Sequence, residues 1–184
     1  MKNHNRYLWI GSFLVMLLFS ACAMIPKGAQ PIPDFDADRY LGKWYEIARM
    51  DNRFEKNLQQ VTAQYALNED GNITVLNRGY DTLKKEWKSV KGKAKFRTQK
   101  TTAALKVSFF GPFYAGYNVI ALDPSYRYAL VAGQNLDYLW ILSRDITIPD
   151  AIKASFIKTA QGIGYDTDQF VWVIHEKEIG VDHE

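Results

Sequence analysis

Eight short runs rich in aromatic and β-branched residues follow one another from about Gly42, each closed by turn-forming residues. That succession limits the chain more than any other feature. The runs cover 43–50, 61–68, 72–80, 87–97, 103–110, 116–123, 126–133 and 138–143. Between them stand Glu69-Asp70-Gly71-Asn72, Gly111-Pro112, Asp123-Pro124-Ser125 and Gln134-Asn135-Leu136-Asp137, where Gly, Pro and short polar side chains turn a chain tightly. Strand–helix–strand alternation is missing, so an antiparallel meander is predicted in place of a parallel sheet. One helix is expected: Ala151, Ile152, Ser155, Phe156 and Thr159 recur at helical spacing, after Pro149 and before Gly162 and Gly164. The run Phe170 to Ile174 reads as a last strand that pairs with the rim of the sheet.

The strand faces suggest closure. Leu105, Val107 and Phe109 alternate with Ala104 and Phe110, and Val119 and Ala121 with Ile120 and Leu122, so both faces are apolar. A one-sided sheet in water would be polar on one face. One set must therefore line a lumen while the other meets the helix or a neighbouring surface. Eight strands leave an interior just wide enough for side chains or one small ligand. Small or polar residues at inward candidates, Ala63, Asn77, Ala121 and Ala129, favour an incompletely filled interior. The predicted fold is all-β: an eight-stranded antiparallel up-and-down barrel, a helix packed outside it and a short final strand.

The N-terminus reads as an address. Lys2 and Arg6 precede the apolar run Leu8 to Phe19, 12 residues long, followed by Ser20, Ala21 and Cys22. This is the pattern of a secretory signal, and it is short for a membrane-spanning helix, which needs about 20 apolar residues. Leu18-Phe19-Ser20-Ala21-Cys22 resembles the lipobox of bacterial lipoproteins, with Phe19 where Leu is usual. That resemblance implies cleavage before Cys22 and acylation of it. It also implies outer-membrane sorting, since Ala23 is not the Asp that holds such proteins at the inner membrane. The expected division is a signal peptide over 1–21, a lipidated N-terminus and tether over 22–36 with Pro26, Gly28, Pro31 and Pro33, and the barrel domain over 37–184.

Composition narrows the partners. Of 184 residues, 23 are basic and 20 acidic; without Lys2 and Arg6 the balance is nearly even. A nucleic-acid surface would need concentrated positive charge, and none is expected. Cys22 is the single cysteine, so no intrachain disulfide can form.

Three motifs then stand in order. Gly42-Lys43-Trp44-Tyr45-Glu46-Ile47-Ala48-Arg49 carries a Gly-x-Trp opening, Asp123-Pro124-Ser125-Tyr126 lies at the turn after the sixth strand, and Ser143-Arg144 ends the eighth. Their spacing resembles that of the lipocalins, the familiar example of such barrels, from about residue 35 onward. Ala104 to Tyr114 is similar to the bacterial lipocalins, which also resemble apolipoprotein D. The resemblance implies that Gly42, Trp44 and Arg144 form the barrel floor, with the Arg144 guanidinium across the Trp44 indole. It implies that Tyr65, Val75, Asn77, Val107, Phe109, Tyr117 and Val119 face inward and that Tyr114 stands near the mouth. Alternate positions back from Arg144 add Leu142, Trp140 and Tyr138, and those forward from Trp44 add Glu46 and Ala48. A buried Glu46 must be paired, hydrogen-bonded or neutral.

Beyond the signal, the histidines are His175 and His183, in the tail. Phosphate loops, HExxH and GxSxG patterns are missing, so neither enzyme, metal site nor cofactor is expected. The resemblance implies a carrier of fatty acids, lysophospholipids or similar elongated lipids, anchored to the outer membrane with its barrel in the periplasm; a homodimer is compatible with this. The rival is a structural envelope lipoprotein with a filled barrel that works through its outer face.

Overall fold

The computed structural model describes residues 24–176; Cys22, the signal segment and His183 lie outside them. Among the described residues, eight antiparallel strands form the barrel: β1 (Gly42–Met50), β2 (Leu58–Leu67), β3 (Ile73–Asp81), β4 (Glu86–Phe96), β5 (Ala104–Ser108), β6 (Ala115–Leu122), β7 (Tyr128–Ala132) and β8 (Leu139–Ser143). Each strand pairs with the next, and β1 closes the ring by pairing with both β2 and β8. This is the predicted meander, with boundaries moved by at most a few residues.

The helix α2 (Asp150–Ile163) follows Pro149 and ends at Gly164, whose φ of 110° is the left-handed cap that glycine adopts without a Cβ clash. Its Phe156 and Ala160 pack on Ile47, Ala48, Leu130, Leu139 and Ile141 of the barrel's outer wall. The last strand, β9 (Phe170–Trp172), adds to the upper half of β1 at Ala48, Arg49 and Met50. Beyond it the Gln60 amide donates to the Ile174 carbonyl, so this strand bridges the gap where β1 and β2 part.

Two bulges reverse expected faces. The β1–β8 register shifts between Glu46 and Ala48, which turns Ala48 out against α2 and brings Arg49 into burial. The β6–β7 register shifts between Val119 and Ala121, and Ala121 joins the outer cluster. An extra residue flips every later side chain across the sheet. Strict alternation therefore misplaced Ala48 and Ala121.

The described part of the segment read as a tether is held against the barrel at several points, with Pro26, Ala29 and Phe35 buried. Asp36 caps a short helix α1 (Ala37–Tyr40), accepting from the Asp38 and Arg39 amides. Phe35 is buried among Tyr40, Phe96 and Tyr126. The Phe35 amide donates to the Thr101 carbonyl, the Ala103 amide to Ile32, and the Ile32 amide to Val119. Farther back, the Met24 carbonyl accepts from Asn118 Nδ2 at 2.8 Å. Proline and glycine here shape a strap.

Candidate functional site

The floor is built first. The Trp44 side chain is fully buried, and its Nε1 donates to the Tyr40 carbonyl at 2.8 Å. Arg144 lies with Cζ 3.9 Å from the Trp44 ring centroid, an attraction worth roughly 0.5–2 kcal/mol. Its guanidinium also donates to the Lys43, Arg39, Leu41 and Tyr126 carbonyls at 2.8, 2.9, 2.9 and 3.2 Å. Gly42, at φ 94°, sits where a Cβ would lie 3.3 Å from Arg144 Nη1. The three motif residues thus close one end together.

Above the floor three tyrosines meet. Tyr117 shares hydroxyl–hydroxyl hydrogen bonds of 2.8 Å with both Tyr40 and Tyr65. Burial raises the pKa of all three hydroxyls, so each keeps its proton. Two links use two of three protons, which leaves one donor for a further acceptor. Among the described residues, Asn77 Oδ1 is buried without a hydrogen-bond partner.

The wall follows the expectation from the motifs in most places. Tyr65, Val75 and Val119 are buried in the inner cluster, and Val107, Phe109, Tyr117 and Trp140 pack against it. Leu142, Ala63 and Ala129 join them, while Asn77 shares the Val75 face of β3 opposite Ala63. Val107, Phe109, Tyr117, Trp140, Ala63 and Asn77 nevertheless keep part of their surface accessible. Inward side chains that stay accessible border unfilled space.

Two residues stand at the rim. Tyr138 precedes β8 and stacks on Trp140, ring centroids 6.1 Å apart. Tyr114 lies in the β5–β6 loop with Lys106 Nζ 5.0 Å from its ring centroid, and Lys106 is on the outward face between Leu105 and Val107.

Toward the open end a polar cluster crosses the β1–β8 wall. The buried Arg49 Nη1 donates to Glu46 Oε1 at 2.8 Å, and its Nη2 donates to the Glu55 and Leu58 carbonyls. Glu55 Oε2 accepts from Trp140 Nε1 at 2.9 Å and from Asn52 Nδ2. Burial, and then the Glu55 charge, push the Glu46 carboxyl well above the carboxylate range despite Arg49. Arg49 thus meets Glu46 through its carboxyl and Glu55 through its backbone carbonyl, while the Glu55 carboxylate is held by Trp140 and Asn52. Sequence reasoning had flagged Glu46 but missed Arg49, Glu55, Asn52 and Tyr40. Only the hidden bulge turns Arg49 inward, and the other three lie outside the alternating runs. His175 sits on the outer face, its Nε2 2.8 Å from the Glu46 carbonyl and its ring edge-on to Tyr45; burial lowers its pKa.

A single-mouthed antiparallel cup, sealed at one end and lined by apolar and phenolic side chains, is the architecture of the small-molecule-binding calyx barrels. The chain belongs to the lipocalin family: the lipocalin-like domain matches residues 35–175. It is 55% identical over 148 residues to the outer membrane lipoprotein Blc of Escherichia coli (strain K12), covering 80% of this chain and 84% of that one. The Vibrio cholerae outer membrane lipoprotein Blc is 48% identical over 164 residues, covering 88% and 96%. Insecticyanin from the tobacco hornworm Manduca sexta superposes with a TM-score of 0.66 over 81% of this chain and 85% of its own, at 19% identity, which speaks to the fold.

Proposed function

We propose that this chain binds an elongated lipid, a fatty acid or lysophospholipid, inside its barrel and does so in the cell envelope. Its similarity to two outer membrane lipoproteins places it in the outer membrane, and the lipobox-like segment makes Cys22 the acylated residue. One acyl chain holds marginally, whereas several anchor durably. Of the interior features, the accessible inward surface of Val107, Phe109, Tyr117 and Trp140 above a sealed floor carries the reading. An alkyl chain takes the apolar wall, and a head group meets polar partners: Tyr117's hydroxyl chain below, or Glu46, Arg49 and Glu55 above. The work is binding; no step needs a nucleophile.

A fluorescent fatty-acid probe tests this. Saturable binding is expected, and Val107→Trp, which fills the interior, should weaken it at least tenfold. Trp172→Phe on the outer strand should leave it unchanged. If Val107→Trp binds as the parent does, the lumen is not the site. A second reading, a structural barrel acting through its outer face, draws on one observation. A groove of about 440 Å³ lies outside the lumen between Met50–Arg53, Leu136–Tyr138 and the end of α2 at Gly164.

A further inference from the structure

The connections at the two ends of the barrel differ in kind. The closed-end connections 68–72, 97–103 and 123–127 are polar, and none carries an exposed large hydrophobic side chain. All four open-end connections do. Phe54 is 61% exposed after β1, Leu83 74% after β3, Phe110 and Phe113 70% and 80% after β5, and Leu136 is exposed after β7. Separate apolar side chains on a surface are ordinary, and Leu67 at the closed-end terminus of β2 is one such case, but one in every connection around a single mouth marks a contact surface. Cations accompany them: Arg53 lies over the Phe54 ring at 4.7 Å, and Lys84 and Lys85 follow Leu83 at the same turn, both exposed.

The strap supplies a second and independent observation. As residue numbers fall from Phe35 to Met24, the partners climb the barrel. They run from Thr101 and Ala103 at the closed-end connection, through Val119, to Gly116 and Asn118 in the first half of β6. A Cβ on Gly116 would meet the Met24 carbonyl at 2.0 Å, so the glycine admits this close crossing. The Asn118 amide that holds Met24 also donates to the Ala132 and Gly133 carbonyls, where β7 reaches the open end. Cys22 precedes Met24 by two residues, which span at most about 7 Å. Acyl chains on Cys22 would therefore leave the protein beside the mouth, next to the loop that carries Phe110 and Phe113.

We infer that the open end of the barrel rests on the bilayer, with Phe54, Leu83, Phe110 and Phe113 entering its interface, so that the lumen opens onto lipid. The inference rests on the acylation of Cys22 proposed above. Aromatic and aliphatic tips enter the acyl boundary while neighbouring Lys and Arg remain at the level of anionic head groups. A short, pinned strap holds the rim down where a free tether would let the barrel tumble. Lipid then enters the lumen from the bilayer without crossing water.

Acylation consumes the Cys22 thiol, so a cysteine introduced into the full acylated protein is its single reactive thiol. Environment-sensitive labels at Phe54→Cys, Leu83→Cys and Phe113→Cys, and at the closed-end positions Glu69→Cys and Ser125→Cys, are compared. The protein is reconstituted on phosphatidylethanolamine–phosphatidylglycerol vesicles with spin-labelled lipid. Rim labels should shift to the blue and be quenched several-fold, while closed-end labels stay aqueous. Rim labels that remain aqueous on a vesicle-bound protein of acylated mass overturn the inference and leave the anchor standing. Rim labels that become protected without vesicles, as protein concentration rises, overturn it in favour of a second copy of the chain. A second reactive thiol and no flotation with vesicles show that the anchor itself has failed, and the inference with it.

Discussion

Single residues decide how the cup holds together, and their energetics are measurable. Trp44→Ala empties a fully buried site and should cost about 3–5 kcal/mol. Arg144→Ala removes both the indole contact and four carbonyl partners. Because the two side chains touch, denaturant unfolding of the double-mutant cycle should show a coupling of about 0.5–3 kcal/mol; strict additivity would separate them. Glu46 makes a pH prediction. Its folded carboxyl titrates above the unfolded one, because burial and Glu55 disfavour the charge. The folded state therefore binds the extra proton, and the resulting stability is present at acid pH. It is lost as pH rises from the unfolded value of about 4.3 through the folded one. Glu46→Gln cannot lose that proton. Its melting temperature should gain on the parent as pH is raised from 4 to 8; a constant gap would contradict the assignment.

Elements show what periodicity can reveal. The eight strands were visible because runs of aromatic and β-branched residues, several bounded by turn-forming residues, mark them locally, and Pro149 and Gly164 bracketed α2. The floor was visible because Gly42, Trp44 and Arg144 stand in recognisable motifs. The bulge between Glu46 and Ala48 was not, since nothing in Glu46-Ile47-Ala48-Arg49 announces an extra residue; its partner strand β8 lies nearly a hundred positions away. That one shift hid Arg49, and with it the polar cluster under the mouth. The strap escaped for another reason. Residues 24–36 carry prolines and little periodicity, and contacts distant in sequence, with Thr101, Ala103, Asn118, Val119 and Tyr126, order them. Phe35→Ala should therefore destabilise the barrel by about 3–5 kcal/mol, as loss of a buried aromatic does. An unchanged denaturant midpoint would restore the free tether.

At the scale of the whole molecule, the proposed function gives a lipid one path, entering at the apolar rim and ending above the tyrosine cluster and the floor at Trp44. The packed strap explains why acyl chains on Cys22 would set an orientation as well as a location. Trp140 is placed to report on the lumen, since its indole packs on the inner cluster and its Nε1 reaches Glu55. The most direct test is a tryptophan-fluorescence titration with saturated fatty acids of increasing length, on the parent and on Trp140→Phe. Each CH₂ taken from water adds about 0.8 kcal/mol, roughly fourfold in affinity, until the lumen is full. Affinity should climb with chain length and then level off, and Trp140→Phe should abolish most of the signal. An affinity independent of chain length, or an undiminished signal in Trp140→Phe, would contradict lipid binding in the barrel.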